Sequence, residues 1–137
     1  MASTVPFKLI TPTQIVFEGD AELVIAVGTE GEEGILPQHA PFLTALKPGV
    51  LRANVVENGA PKRLELATGD GFMQALPDRV TVLVDRALSF EDVDVAAART
   101  ELAEATERQK AATDPVQHQR EQSVIDFANA KLRLTHH

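Results

Sequence analysis

The chain has 137 residues, of which 44% are hydrophobic and 24% are charged, and it contains no cysteine. This size and balance are typical of one globular domain or a small domain with an appendage, and the lack of thiols excludes disulfides and thiolate metal sites. The formal net charge of -7 disfavours nucleic acid and anionic lipid as main partners, because both attract clustered Lys and Arg. No stretch approaches the ~20 consecutive apolar residues of a membrane-spanning helix, and the chain starts without a secretory signal pattern, so we expect a soluble intracellular protein.

The first part of the chain is predicted to consist of short antiparallel strands. All eight glycines and seven of the eight prolines precede residue 78, and short runs between them alternate apolar and polar side chains. The Asn58-Gly59 pair, with alternating residues on both sides, is the strongest two-residue hairpin signal. Further strands are predicted at 7–10, 15–17, 23–27, 72–76 and 79–84. So many short strands with close turns indicate a sandwich or barrel.

The composition changes near residue 88, and the remainder is predicted to be helical. The tail from Ser89 is rich in Ala, Glu, Gln and Arg. Ser89 followed by Asp92 resembles a capping box, which predicts a helix from there to about residue 112. Asp114 as N-cap and Pro115 at the first helical position predict a second helix that ends near residue 134. Because these helices carry few large apolar residues, we expect a thinly packed hairpin whose order depends on what it docks against.

No pattern for catalysis or metal binding is visible in the sequence. It lacks a phosphate-binding Gly-x-x-x-x-Gly-Lys-Ser/Thr loop, a Gly-x-Ser-x-Gly nucleophile elbow and a metal-spaced His pair, so we expect no catalytic residue, metal or cofactor. The acidic segment at 30–33 does not have the spacing of a calcium loop, and a solvated turn is the simpler interpretation. His39 lies between two prolines, and on composition alone the simpler interpretation is again structural, a histidine in a turn. Pattern alone therefore predicts a sandwich and a helical hairpin without an active site.

Residues 28–49 carry a much more specific pattern, GTEGEEGILPQHAPFLTALKPG. This segment resembles the signature of the ε subunits of bacterial and chloroplast F-type ATP synthases, which has the form Gly-Ser/Thr-Glu-Gly-x-x-Gly-Ile-x-Pro-x-His-Ala-Pro-x-Leu-Thr-x-Leu/Ile-x-Pro-Gly. The Gly69-Asp70-Gly71 turn, the strand at 80–83 and the acidic segment at 91–94 also resemble family features. The resemblance implies a ten-stranded β-sandwich over residues 1–86, followed by a regulatory two-helix antiparallel hairpin over residues 89–137.

The resemblance also implies a non-catalytic part of a rotary motor. In that family the sandwich joins the foot of the γ subunit to the membrane c ring, so that proton-driven rotation of the ring turns γ inside the catalytic hexamer. The hairpin permits rotation when it is folded on the sandwich. It opposes ATP hydrolysis when it extends along γ toward the α and β subunits. The expected location is the cytoplasmic face of the bacterial inner membrane, as a peripheral protein that neither inserts into lipid nor binds nucleic acid.

Two sets of contact residues follow from the resemblance, position by position. Glu32 matches the place where the family sets a carboxylate against the polar loops of the c ring, and Glu30 and Gly31 shape that turn. His39, with Pro41 and Phe42 beside it, matches a position on the γ-facing surface. The resemblance thus assigns the c-ring and γ contacts to neighbouring parts of one segment.

In relatives that the chain resembles, basic residues of the second helix meet an acidic segment of the catalytic subunits, and Arg120, Lys131 and Arg133 are the candidates for this role here.

Some bacterial relatives bind ATP at the hairpin through the motif Ile/Leu-Asp-x-x-Arg-Ala. Asp94 matches the aspartate of this motif, but Ala97 stands at the arginine position, and Arg99 lies about 200° further round the helix. Asp94 is therefore interpreted first as a charge at a helix N-terminus. A stand-alone ATP-sensing β-sandwich module is the alternative function.

Overall fold

The computed structural model describes residues 3–136, so the outermost ends of both expected units lie outside the described residues. Within that range, strands come first and helices follow. The elements are β1 (Val5–Thr11), β2 (Gln14–Gly28), β3 (Gly31–Ile35), β4 (Phe42–Leu46), β5 (Gly49–Glu57), β6 (Ala60–Thr68), β7 (Gly71–Leu76), β8 (Arg79–Val84), β9 (Ala87–Leu88), a 3-10 turn (Phe90–Asp92), α1 (Val95–Ala111) and α2 (Pro115–Leu134). This order confirms the predicted fold class, mainly β followed by a helical hairpin.

The strands form a sandwich whose two layers share β2. Strands β1, β8, β7 and β4 pair in that order, and β2, β5, β6 and β9 continue the sheet, with β3 also paired to β2. β2 is 15 residues long. Its first half pairs with β1 and its second half with β5, and the register of the β2–β5 pairing shifts between Ala21 and Leu23. One strand therefore includes the separate strands predicted at 15–17 and 23–27, and residues 3–136 contain nine strands where the resemblance implied ten.

The interior of the sandwich is a single apolar core to which every strand from β1 to β8 contributes. Alternate residues point inward, as the period-2 pattern requires; Phe7 and Leu9 of β1 and Val80 and Val82 of β8 are fully buried. At the start of β7, a Cβ atom on Gly71 would collide with the Leu83 carbonyl oxygen, so only glycine permits this close approach of β7 and β8.

The predicted hairpin at Asn58-Gly59 is confirmed. β5 and β6 pair up to Glu57 and Ala60, and the two turn residues between them have φ angles of 54° and 78°. Positive φ at both central residues is what a type I′ turn requires, and Asn followed by Gly is the pair that tolerates it best.

The first long helix begins later than predicted. Ser89 and Asp92 do form a capping box, but it caps the 3-10 turn, and the prediction that the helix starts there is wrong. Val93 leaves that turn in an extended conformation. α1 then begins at Val95, where the Asp94 carboxylate accepts a hydrogen bond of 3.0 Å from the Ala97 N–H.

The second helix begins and ends as predicted, and it is the element that docks the hairpin. The Asp114 carboxylate accepts a hydrogen bond of 2.8 Å from the Gln117 N–H, and Pro115 occupies the first turn. α2 lies on the outer face of β5 and β6, in a small cluster of buried residues edged by two half-buried ones. The cluster comprises Val50, Ala67, Phe127, Ala130 and Leu134, with Leu88 and Val93 at its edge.

α1 packs on α2 and buries only Ala98 and Ala105. Neither helix in residues 3–136 is sufficiently long and apolar to cross a bilayer.

Candidate interaction surfaces

The turn between β2 and β3 presents the acidic residues of the signature segment. Thr29 and Glu30 form its two-residue tip, and Gly28 pairs with Gly31 across its base. Gly31 has φ 129°, a conformation that strains any residue with a side chain, so glycine is required for the chain to reverse here. Glu30 is exposed, and the Glu32 side chain, two residues on, is 58% exposed.

An ion pair that the sequence did not reveal holds Glu32 in place. Arg52 of β5 donates from Nη2 to Glu32 Oε2 at 2.7 Å. Glu32 lies beside Val27 and Arg52 beside Ile25, so the two side chains reach toward each other over β2. The pair orients the carboxylate while more than half of its surface stays in solvent, ready for a partner.

The His39 segment forms a turn stabilised by its own backbone. Ala40 offers only a carbonyl oxygen to the imidazole, so His39 Nδ1–H donates the 2.7 Å hydrogen bond. The ring also meets the Phe42 ring edge to face, with 5.1 Å between centroids. Pro41 is exposed, whereas Phe42 is half-buried and packs against the sandwich core. Of the three residues matched to the γ surface, Phe42 therefore also stabilises the fold, because part of its ring is buried against the core.

Beside this turn lies an apolar surface that the sequence analysis did not identify. Leu43, Phe72 and Leu83 are 68%, 54% and 51% exposed, and the register places Phe72 opposite both Ala45 and Leu83. With Ala45, these side chains form a continuous patch, here called the apolar face, on the outside of β4, β7 and β8. Large exposed apolar patches on small proteins mark binding surfaces. The sequence did contain a signal for this patch, because each of the three strands has an apolar residue at an outward position where alternation predicts a polar one.

The three basic residues matched to the catalytic-subunit contact have different surroundings on α2. Lys131 is only 12% exposed; its ammonium group lies 3.3 Å from the Glu101 carboxylate of α1 and 5.0 Å from the centre of the Phe127 ring. Arg120 and Arg133 are exposed and form no ion pair within residues 3–136. In this docked hairpin, Lys131 is paired with Glu101, whereas the two arginines face solvent.

Asp94 caps the N-terminus of α1 through its hydrogen bond from the Ala97 N–H, the position in which its charge was interpreted. Among the described residues, no group of His, Asp and Glu could hold a metal ion.

The seam between the sandwich and α2 combines an aromatic clamp with carboxylates. The Arg86 guanidinium lies 4.0 Å from the centre of the Phe127 ring, a favourable cation–π geometry. Nearby, burial raises the pKa of Asp70 above its ordinary 3.8, and the Asp85 carboxylate raises it further. Ser123 of α2 and the Arg86 guanidinium act on this pKa in the opposite direction. The docked hairpin therefore touches titratable groups of the sheet.

Comparison with known proteins places these surfaces in a family context. Residues 4–90 match the family model described as ATP synthase, Delta/Epsilon chain, beta-sandwich domain. The ATP synthase epsilon chain of Chromobacterium violaceum is 38% identical over 126 residues, which cover 92% of this chain and 89% of the relative. That of Xanthomonas campestris pv. campestris is 42% identical over 97 residues, or 71% and 67% of the two chains.

Among solved structures, a chain of the Euglena gracilis mitochondrial ATP synthase, in an assembly of OSCP, F1 and c-ring, is similar with a TM-score of 0.79. The aligned region covers 98% of this chain and 82% of that one, at 18% identity. At that identity the likeness concerns the fold.

Proposed function

The chain belongs to the family of ATP synthase epsilon chains, which are non-catalytic subunits, and from this premise we propose that it couples the c ring to γ in the central stalk. It acts there as a rotor part at the cytoplasmic face of the bacterial inner membrane. The observation that carries the proposal is the apolar face, because a small domain with a complete core has no structural reason to expose Leu43, Phe72 and Leu83 together.

The apolar face is the proposed contact with γ. It continues from the His39 turn, whose residues the family resemblance assigns to the same partner, because Leu43 follows Phe42 at the start of β4. Its residues stand on β4, β7 and β8, which are fixed by the core beneath them. A binding surface on paired strands changes little in shape under load, which suits a part that transmits torque.

The β2–β3 turn is the proposed contact with the polar loops of the c ring. Glu32 is oriented by Arg52 at 2.7 Å and remains 58% exposed, so it offers a fixed negative charge to a basic or hydrogen-bonding group of a ring loop.

The helical hairpin is the proposed regulatory element. Its docked form depends on Phe127, Ala130 and Leu134, a small apolar contact that can be broken without unfolding the sandwich. α1 and α2 have 17 and 20 residues, which correspond to about 25 and 30 Å at 1.5 Å per residue. Once released, the hairpin is long enough to extend along γ and bring Arg120, Lys131 and Arg133 to the catalytic subunits.

The γ contact is tested by replacing one exposed phenylalanine at a time. Phe72→Ser removes a central side chain of the apolar face and should weaken binding to purified γ by about 30-fold, since a central aromatic contact contributes about 2 kcal/mol. Phe90→Ser is the matched control, because Phe90 is 56% exposed but lies in the 3-10 turn, outside the apolar face. Calorimetric titration measures both affinities. Equal affinities for the two variants would remove the apolar face from the γ interface.

The c-ring contact is tested in the reconstituted synthase. Glu32→Gln removes the charge but keeps the shape, and it should lower ATP-driven proton pumping relative to ATP hydrolysis. Glu57→Gln is the control, because Glu57 is also exposed and paired, to Lys62 at 3.3 Å, but lies at the β5–β6 turn. The same ratio of pumping to hydrolysis in both variants would count against the assignment of Glu32 to the ring.

A further inference from the structure

The end of the docked α2 helix lies beside the turn that carries Glu32. Glu32 and Arg133 together line two adjoining clefts, of about 270 Å³ and 220 Å³. The first opens onto β5 and β6 through Arg52, Arg63 and Glu65, and the second opens onto the β4–β5 turn through Lys47 and Pro48. One continuous polar surface therefore joins the β2–β3 turn to the last turns of the hairpin.

Register explains why these residues converge. Val50 and Ala67 pair across β5 and β6 and receive α2. Two residues further along the same outer face, Arg52 pairs with Glu65, just beyond the point where the helix ends. The sheet thus becomes charged where the apolar docking site stops, and Arg133 lies at that boundary.

Two charged groups on this surface, the Glu32 carboxylate and the Arg133 guanidinium, can still bind a partner. Glu32 uses Oε2 for Arg52, which leaves Oε1 for another donor. Arg133 is exposed and has no ion pair within the described part of the chain. A partner that meets Glu32 therefore also meets a guanidinium that pairs with no carboxylate of residues 3–136.

We propose that Arg133 is a second charged contact of the c-ring surface, and that the docked hairpin supplies it. This inference rests on the proposed function of Glu32. It implies that a ring loop presents a basic or amide group to Glu32 and an acidic side chain or main-chain carbonyl to Arg133. The guanidinium suits the second role, because it donates several hydrogen bonds in a fixed plane.

The position of Arg133 depends on docking, since its neighbour Leu134 is 3% exposed and part of the cluster that holds α2 to the sheet. Release of the hairpin removes Arg133 from the ring-facing surface. Because coupled binding equilibria are reciprocal, ring binding favours the docked hairpin by the same factor by which docking favours ring binding. The resting position of the hairpin is then biased by the ring as well as by γ.

The test compares single Arg→Gln variants of the full chain, each bound to γ, for affinity to isolated c ring in detergent. Arg133→Gln should weaken binding about three- to fivefold, the effect of one partly exposed ion pair. Arg99→Gln is the matched control: it lies on the same hairpin and lines a neighbouring cleft with Arg133, but it is absent from the two clefts that contain Glu32. This control should bind like the unmodified chain.

Two further measurements separate the ways in which the proposal can fail. If Glu32→Gln weakens ring binding and Arg133→Gln does not, the role of Arg133 is wrong and the proposed ring contact stands. If neither variant weakens it, the proposed ring contact itself is wrong. Hydrogen exchange of the α2 amides in the free chain should be the same with and without Arg133→Gln; faster exchange would mean that Arg133 acts on docking, which contradicts a direct contact.

Discussion

The sandwich and the hairpin are built from the same chain but held together very differently. The sandwich has a core to which β1 to β8 all contribute. The hairpin attaches to the sandwich mainly through Phe127, Ala130 and Leu134. Local stability follows the density of buried apolar contacts, so the sandwich should open only on global unfolding and the hairpin well before it. The difference suits the proposed function, in which the sandwich resists torque and the hairpin is released from it.

Each region has one phenylalanine that is 1% exposed, Phe7 in the sandwich and Phe127 in the hairpin. In the sandwich, Phe7→Ala should lower the free energy of global unfolding by about 3–5 kcal/mol, the usual result of emptying a phenylalanine site in a core. Urea unfolding followed on the β8 amide resonances measures this loss. A loss below about 1 kcal/mol would mean that the sandwich is not the rigid region.

In the hairpin, Phe127→Ala should release α2 and leave the sandwich intact. The loss of stability cannot exceed the free energy of docking the hairpin on the sandwich, which is smaller than the free energy of global unfolding. Once the hairpin has left the sandwich, weakening the contact further has no effect. Hydrogen exchange should accelerate in α1 and α2 and stay unchanged in β7 and β8. If exchange accelerates equally in the strands, the two regions form one cooperative unit and the comparison fails.

A smaller effect is expected where charge supports the hairpin. The Lys131 side chain is only 12% exposed and pairs with Glu101. Glu101→Gln removes this charged partner and should weaken packing of α1 on α2 by about 1 kcal/mol. Glu107→Gln is the control, since Glu107 pairs with Lys110 at 75% and 70% exposure and should change stability very little. Exchange of the α1 amides measures both. Identical effects would show that the buried position of Lys131 contributes nothing to the hairpin.

The same two regions differ in how far the sequence predicts them. Asn58-Gly59 and Asp114-Pro115 have strict backbone requirements, so local residues were enough to place the β5–β6 turn and the start of α2. The start of α1 was misplaced because Ser89 and Asp94 are both good caps, and only the extended backbone at Val93 decides between them.

Contacts between distant residues lay beyond any local pattern. The Glu32–Arg52 pair joins residues 20 apart through strand register, and the apolar face combines outward positions of β4, β7 and β8. Each strand offers only one or two outward apolar residues as a signal, and strand pairing assembles them into a patch. The signature segment indicated the β2–β3 turn and the His39 turn as candidate contacts through resemblance, whereas the contacts around these turns required the fold.

The smallest expected effect concerns pH at the seam between the two regions. Burial and the Asp85 carboxylate raise the pKa of Asp70 above 3.8, so the folded chain binds this proton more tightly than the unfolded chain does. The contribution of Asp70 to stability is then greatest below its unfolded pKa and is lost as the pH rises through its raised folded pKa.

Asp70→Asn should therefore stabilise the chain at pH 7 by no more than about 1 kcal/mol, because the site is partly exposed, and the gain should shrink toward pH 4. Asparagine keeps the shape of the aspartate side chain, so the substitution isolates the charge. Asp78→Asn, in the exposed turn before β8, is the control for removing one negative charge from an acidic protein. Urea unfolding from pH 4 to 8 measures the difference, and a gain that does not grow with pH would mean that burial and the Asp85 carboxylate do not disfavour the charged form of Asp70.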